Sequence, residues 1–217
     1  MMARRLAVAW LLVSASAAGA CQLQRPNVEP VRMIEPELVT PPAREGLGSQ
    51  FVPVRLLDTQ ARSHIGRRLL HLEAGPELVE DPIFRWTASP DRYLDSALRL
   101  AFEASRELRL VDKVGVPTVA VTLVTWHIES AAGRRLAGAI ETVITDGDRA
   151  VTTRIEKATE PVAAELPGDL GGAAGRLLNT LASGCLAQIT QAIQPRAPAV
   201  AARTRRLAHP SYDIEVP

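Results

Sequence analysis

Three groups of side chains in this sequence are of types that could do chemistry. Ser183 and Cys185 are potential nucleophiles, His127 and Glu129 could supply half of a metal site, and residues 146–148 include two aspartates. Cys185 falls on the apolar side of a predicted helix, where a thiol acts as a small hydrophobic group. The sequence around the other two groups lacks the further ligands of a zinc site or an EF-hand. We therefore expect a structural cysteine, a hydrogen-bonded or solvated His–Glu pair and a hairpin turn, with no metal site.

Composition and longer motifs exclude several classes of function. The sequence has no Walker A motif, no G-x-G-x-x-G, no H-E-x-x-H and no G-x-S-x-G elbow. The net charge of +1 and the aromatic content of 4% give neither the basic face nor the stacking platform of a nucleic-acid-binding protein. We predict a protein that is not an enzyme, needs no cofactor and does not bind nucleic acid.

The first twenty residues are typical of a bacterial signal peptide. Arg4 and Arg5 form a positive region, residues 6–13 are an uncharged apolar run, and residues 14–20 are small. The apolar run is short compared with the roughly 20 apolar residues that a membrane-spanning helix needs. We therefore assign residues 1–20 to a signal peptide, with an uncleaved membrane anchor as the alternative.

The residue that follows makes this interpretation more specific. Residues 18–21, Ala-Gly-Ala-Cys, resemble the lipobox of bacterial lipoproteins, in which small residues precede an obligatory cysteine. The resemblance implies that the Cys21 thiol receives a diacylglyceryl group, that the peptide is cut before Cys21, and that the new amino group is acylated. Each buried CH₂ contributes about 0.8 kcal/mol to membrane binding, so several acyl chains anchor a protein almost permanently. The alternative is an ordinary secretory peptide with a chance cysteine.

Gln22 bears on which membrane holds the anchor. By resemblance to the sorting rule of enteric lipoproteins, a residue other than Asp at this position implies the outer membrane, with the domain facing the periplasm; the inner membrane is the alternative. Cleavage removes two arginines and no acid, so the mature chain has 23 basic and 24 acidic residues and a net charge of −1. With Cys21 lipidated, Cys185 has no partner for an intrachain disulfide.

The mature chain divides into three predicted parts. Residues 21–50 begin with the lipidated Cys21 and contain five prolines, which favours a tether that spans on the order of 30 Å if it is unstructured. Residues 31–34 are the exception, since their short apolar patch could equally form a first strand. Residues 51–194 are predicted to form the folded domain, and residues 195–217 a disordered basic tail.

The folded domain is predicted to be α+β. Pro82 makes one strand an edge strand or a bulged one, and glycines at 171–175 move the firm start of the last helix towards Arg176. Short turns between the last three strands allow only antiparallel pairing. We expect a mainly antiparallel sheet with two amphipathic helices packed on one face. The predicted strands are residues 51–57, 68–73, 77–86, 116–128, 136–145 and 150–159, and the predicted helices span residues 90–108 and 169–193.

One short motif and the order of these elements resemble a known family. The motif is an Arg-Trp pair followed by a proline and a helix, here Arg85, Trp86, Pro90 and Tyr93 in the run F-R-W-T-A-S-P-D-R-Y-L. A V-T-L strand and a C-terminal amphipathic helix follow in the expected order. Over roughly residues 51–193 the chain resembles the ABC-type transport auxiliary lipoproteins, the family of the lipoprotein of the paraquat-inducible operon.

The resemblance implies an accessory component of an MCE-type ABC lipid transport system. Such systems combine a permease, an ATPase and an MCE-domain protein that forms a hydrophobic conduit across the periplasm. The lipoprotein is expected to dock this conduit at the outer membrane, and a homo-oligomer is expected because some relatives form rings. The alternative function, from a different class, is an outer-membrane assembly or structural scaffold lipoprotein.

The Arg-Trp motif supplies the candidate partner contacts. Trp and Arg are enriched among interface hot spots, so Arg85 and Trp86, together with Pro90 and Tyr93, are predicted to contact the partner. The alternative is a core tryptophan with Arg85 paired to an acid such as Asp81. Neighbouring strand residues point to opposite faces of a sheet, so one of the pair can be buried while the other is exposed.

Overall fold

A computed structural model describes residues 29–39, 51–73, 75–131, 133–147, 149–164 and 166–193. The predicted signal peptide, the lipidation site Cys21 and the predicted tail at 195–217 lie outside the described residues. The helices are α1 (Pro90–Ala104) and α2 (Pro167–Ile193). The strands are β1 (Arg32–Ile34), β2 (Val52–Leu56), β3 (Gln60–Ala61), β4 (Arg68–Leu72), β5 (Leu78–Trp86), β6 (Leu108–Leu110), β7 (Thr118–Glu129), β8 (Arg135–Asp146) and β9 (Arg149–Pro161).

The sheet is organised around β7. One side of β7 pairs antiparallel with β8 along its whole length, and β8 pairs antiparallel with β9. The other side pairs in parallel with three short strands in succession, β2, β3 and β4. Beyond them, β6 pairs with β2, while β5 pairs with β4 and β1 pairs with β5. The predicted α+β fold with a mainly antiparallel sheet is confirmed. The strands predicted at residues 51–57 and 68–73 correspond to β2 and β4, but their parallel pairing with β7 and the short strands β3 and β6 were not predicted.

Alternation along β7 sets which face of the sheet is covered. Val119, Val121 and Leu123 are buried, and a register shift between Leu123 and Thr125 keeps Trp126 on the same side. Both helices contact the sheet and each other, which covers the buried face. The predicted hairpin after β8 is confirmed, with Gly147 at a φ of +58° in its turn.

Helix α1 is shorter than predicted. The expected helical stripe continued to Leu108, but α1 ends at Ala104 and Leu108 begins β6. The Ser105 hydroxyl accepts hydrogen bonds from the N–H groups of Glu107 (3.3 Å) and Leu108 (3.2 Å). These local bonds offer the backbone an alternative to the helix, which is why the helix stops one turn early.

Helix α2 confirms the predicted helix at residues 169–193, but the expected shift of its firm start towards Arg176 is wrong, because its glycines serve packing. The helix begins at Pro167, well before the expected firm start near Arg176. A Cβ on Gly171 would lie 2.4 Å from the carbonyl oxygen of Glu35, and one on Gly175 would lie 2.0 Å from that of Glu37. The glycines therefore allow an extended segment to lie directly on the helix backbone.

That extended segment, residues 29–39, is called the strap below. Its strand β1 pairs with β5, Ile34 is fully buried opposite Trp86, and the Glu37 N–H donates to the carbonyl oxygen of Gly171 (3.1 Å). The predicted start of the folded domain at residue 51 is therefore wrong, and the alternative of a first strand at residues 31–34 is confirmed. The free energy gained by burying the apolar side chains of this segment against α2 exceeds the cost of the hydrogen-bond donors that its prolines remove.

Neither of the two described helices is long and apolar enough to cross a membrane.

Alanine substitutions in α2 test the contact between the strap and the helix. We expect Gly175→Ala to lower the free energy of unfolding by about 1–3 kcal/mol, because its Cβ would overlap the Glu37 carbonyl. Gly172→Ala is the matched control: its Cβ would meet only side-chain atoms, at 3.5 Å or more, so higher helix propensity should stabilise it by up to about 1 kcal/mol. Urea unfolding measures both. Equal stability of the two variants would contradict the contact.

Candidate functional site

Three of the four predicted partner contacts lie in the core. Trp86 is fully buried, Tyr93 is 7% exposed and Pro90 is buried, so these side chains offer no exposed surface to a partner. The prediction of exposed contacts at these three residues is wrong, and the alternative of a core tryptophan is confirmed. The cause is strand alternation, since Phe84 and Trp86 both point under the helices. Arg85, on the opposite face of β5, remains partly exposed.

Trp86 packs in the hydrophobic core next to Trp126. Its ring meets the Trp126 ring edge-on, with centroids 5.6 Å apart and an interplanar angle of 62°, an arrangement worth about 0.5–1.5 kcal/mol beyond area burial. The backbone N–H of Trp86 donates to the carbonyl oxygen of Arg67 (2.7 Å), and the Arg67 Nε donates to the carbonyl oxygen of Trp86 (3.1 Å). The indole Nε1–H groups of Trp86 and Trp126, in contrast, are buried without a hydrogen-bond partner among the described residues.

The Tyr93 hydroxyl joins three segments of the chain. It donates to the Glu35 carboxylate (3.0 Å), accepts the Ala88 N–H (2.8 Å) and contacts the Thr87 hydroxyl. The Thr87 N–H in turn donates to the carbonyl oxygen of Ile34 (3.0 Å). Burial raises the pKa of Tyr93, and the Glu35 carboxylate adds to this, against the opposing effect of the Thr87 and Ala88 bonds. The neutral phenol therefore holds the strap, the β5–α1 turn and α1 together.

Arg85 contacts Asp81 at its backbone carbonyl and not, as the alternative predicts, at its carboxylate. Its Nη1 donates to the carbonyl oxygens of Asp81 and Phe84, whereas the Asp81 carboxylate accepts the N–H groups of Ile83 (2.7 Å) and Phe84 (2.8 Å) and contacts His71 Nε2 (2.8 Å). Burial raises the pKa of Asp81, but these N–H groups and His71 outweigh it, and the pKa falls below its ordinary value. The Asp81 carboxylate thus accepts the backbone N–H groups that the irregular part of β5 around Pro82 leaves without strand partners. The predicted alternative of a bulged strand at Pro82 is confirmed.

The remaining candidates have local structural contacts. His127 is 8% exposed, and its Nε2 lies 3.3 Å from Glu129, a pair rather than a ligand cluster. Among the described residues no three His, Cys, Asp or Glu side chains form a group that could hold a metal ion. Cys185 is fully buried against Thr142, and burial raises the pKa of its thiol to about 11, so the unreactive protonated form dominates.

Sequence reasoning missed the sheet edge at β1, which pairs only with β5 within the part of the chain that the structure describes. We call Val31, Arg32, Met33, Arg68 and Arg85 the anchor-side edge, because β1 is the described strand that follows the predicted lipidation site Cys21 most closely in the sequence. Met33, Arg85 and Arg68 form one row across β1, β5 and β4, on the face opposite the helices. Val31 is 53% and Met33 43% exposed, and the Arg32 guanidinium lies 6.0 Å from the centre of the Phe84 ring. The available signal was the V-R-M-I patch itself, which is apolar and basic.

The comparisons with known proteins establish a fold and no more. No family model and no curated protein matches the chain. A crystal structure of a Xanthomonas campestris protein assigned to family DUF330 aligns with a TM-score of 0.63 at 13% identity, covering 74% of this chain and 96% of that protein. The crystal structure of an uncharacterized protein aligns with a TM-score of 0.54 at 10% identity, covering 75% and 98%.

A third crystal structure, of a hypothetical protein from Chlamydia trachomatis, aligns with a TM-score of 0.47 at 10% identity and covers 64% of this chain and 95% of that one. The first two structures are similar to this chain over nearly their whole length, so the described domain has the fold seen in the DUF330 protein. At these identities the similarity concerns the fold alone.

Loss of the Tyr93 hydroxyl tests its role in holding the strap. We expect Tyr93→Phe to cost about 1–3 kcal/mol, since the Ala88 N–H and Glu35 lose a buried partner. The strap should also open more often, so trypsin should cut after Arg32 faster, as mass spectrometry of the fragments would show. Ser96→Ala on the exposed side of α1 is the control and should change neither quantity. Unchanged cleavage after Arg32 in Tyr93→Phe would refute the role of the hydroxyl.

Proposed function

We propose that this protein is a lipid-anchored, periplasm-facing accessory component of an MCE-type ABC lipid transport system, which docks the periplasmic conduit at the outer membrane. The observation that carries the proposal is the position of Cys21, at the end of a run that resembles a lipobox and eleven residues before the first strand at Arg32. The resemblance of residues 84–94 and of the order of elements to the ABC-type transport auxiliary lipoproteins supplies the system in which the anchored domain works.

The folded domain supports an anchoring role through the strap. The chain that leaves Cys21 joins the sheet at β1, and the Glu37 N–H and the Tyr93 hydroxyl fix the segment that follows. Ile34 is buried with Trp86 in the core of the domain. An acylated Cys21 is therefore connected to the sheet itself, which suits a protein that must hold a partner at a membrane surface.

A non-enzymatic role fits the chemistry of one surface depression beside α1. A cavity of about 450 Å³ lies between α1 and β6, lined by Phe51, Phe102 and three arginines among others. Its hydroxyl, Ser105 Oγ, accepts two backbone N–H groups, and its lining includes no histidine that could act as a base. We propose that the protein binds and positions partners and does not catalyse a reaction, with acyl groups on Cys21 as its only modification. A homo-oligomer remains a prediction.

Substitution of each cysteine tests the anchor. Cys21→Ala should move the protein from the membrane fraction to the soluble periplasmic fraction, because the acyl chains that provide most of the membrane affinity are lost. Cys185→Ala is the matched control: that thiol is buried in the core, so the variant should stay with the membrane. Fractionation followed by immunoblotting measures both. A Cys21→Ala protein that stays in the membrane fraction would disprove lipidation.

Purification from detergent-solubilised membranes tests the partners. We expect the lipidated protein to co-purify with an MCE-domain protein, and through it with a permease and an ATPase, when cells are grown without overexpression of any subunit. Mass spectrometry of the eluate, compared with an eluate of an unrelated outer-membrane lipoprotein, identifies specific partners. Recovery of barrel-assembly proteins in place of transporter subunits would favour the scaffold alternative and overturn the proposal.

A further inference from the structure

Two of the terminal strands of the sheet, β1 and β9, lie on opposite sides of β7, and both carry exposed apolar side chains. Along β1-β5-β4-β7-β8-β9 the first and last strands are five steps apart, about 24 Å at the usual spacing between strands. Among the described residues, β1 pairs only with β5 and β9 only with β8. Of these two strands, β1 is the one that follows Cys21 closely in the sequence.

The length of the intervening chain limits how far the β1 edge can lie from the anchor. Seven residues separate Cys21 from Glu29, and the eight steps between them reach at most about 28 Å when fully extended, which is slightly more than the spacing of about 24 Å between β1 and β9. From Val31 onward the chain is fixed in the fold, by β1 pairing and by the bonds to Gly171 and Tyr93. This reach permits either edge to face the membrane, so the choice of the β1 edge rests on its side chains and on its position after Cys21 in the sequence.

The chemistry of the anchor-side edge matches a lipid surface. Val31 and Met33 are exposed apolar side chains. Arg85 donates to backbone carbonyls and Arg32 lies over an aromatic ring, so no contacting carboxylate within the described part of the chain neutralises either charge. Arg68 is paired with Glu80 and contributes less. Apolar side chains beside arginines are the combination that binds the headgroup region of anionic membranes.

We propose that the anchor-side edge lies on the anionic lipid surface that holds Cys21. The edge of β1 then brings both of its sides to the headgroups: Met33 and Arg85 from the open face of the sheet, and Arg32, which is in register with Phe84, from the opposite face. This inference rests on the lipid anchor of the proposed function and on no other part of it. The lipid contact turns the β9 edge, where Ile155 is 57% exposed, away from the membrane and towards the periplasm. The anchor therefore sets the orientation of the domain as well as its location.

Collisional quenching in reconstituted vesicles tests this orientation. The full lipidated chain, with an environment-sensitive fluorophore on Met33→Cys or, as the matched control, on Ile155→Cys, is placed in vesicles of phosphatidylethanolamine and phosphatidylglycerol that contain headgroup-nitroxide lipid. The buried thiol of Cys185, with a pKa of about 11, leaves the introduced cysteine as the reactive one. We expect quenching at position 33 to be severalfold stronger than at position 155. Equal quenching, or stronger quenching at 155, would overturn the proposal.

Two further arms separate a lipid contact from mere closeness to the anchor. In the first arm the vesicles are made of phosphatidylcholine, and in the second an Arg32→Gln variant is placed in the phosphatidylglycerol vesicles. Quenching at position 33 should fall severalfold in both. The control variant Arg109→Gln removes an arginine that also covers an aromatic ring, and it should leave the quenching unchanged. Undiminished quenching in both arms would overturn the anionic contact. Flotation of the vesicles shows whether the protein is membrane-bound, and no transporter subunit is present in the sample. A protein that floats with the vesicles but is quenched equally at both positions refutes this orientation alone. A protein that does not float refutes the lipid anchor itself.

Discussion

The close contact between the strap and α2 is the constraint on which the rest of the structure depends. The carbonyl oxygens of Glu35 and Glu37 lie where Cβ atoms would stand on Gly171 and Gly175. Because backbone meets backbone there, the strap can bury Ile34 with Trp86 and bring the Glu35 carboxylate to the Tyr93 hydroxyl. Two glycines one helical turn apart in α2 thus allow the strap to contact both helices and the β5 side of the sheet.

This contact also makes part of the proline-rich N-terminal segment belong to the folded domain, which its composition does not indicate. Five prolines between residues 21 and 50 suggest a long spacer, but the fold begins within that segment, with β1 at Arg32, eleven residues after Cys21. A short connection limits how far and how freely a domain can turn at a membrane. The proposed roles, docking a conduit and lying on lipid by one edge, both require such a restriction.

The sequence predicted the regular parts of the fold and failed where distant contacts decide. The β7–β9 meander follows from alternation and from the D-G turn, which are local signals. The parallel strands β2, β3 and β4 have two to five residues each, and their pairing along β7 is set by tertiary packing. Trp86 illustrates the limit for the site: the Arg-Trp motif marked an important position, but alternation alone left open which of the two neighbours was buried.

Amide hydrogen exchange in the strap tests the central claim, that this segment is part of the folded domain, most directly. The Glu37 N–H is bonded to the carbonyl oxygen of Gly171, and the Thr87 N–H to that of Ile34. If the strap is integral, both amides should be protected to nearly the degree of amides in the centre of β7 and β8, since they open only with the domain. Exchange of both at the rate of exposed loop amides would contradict the account.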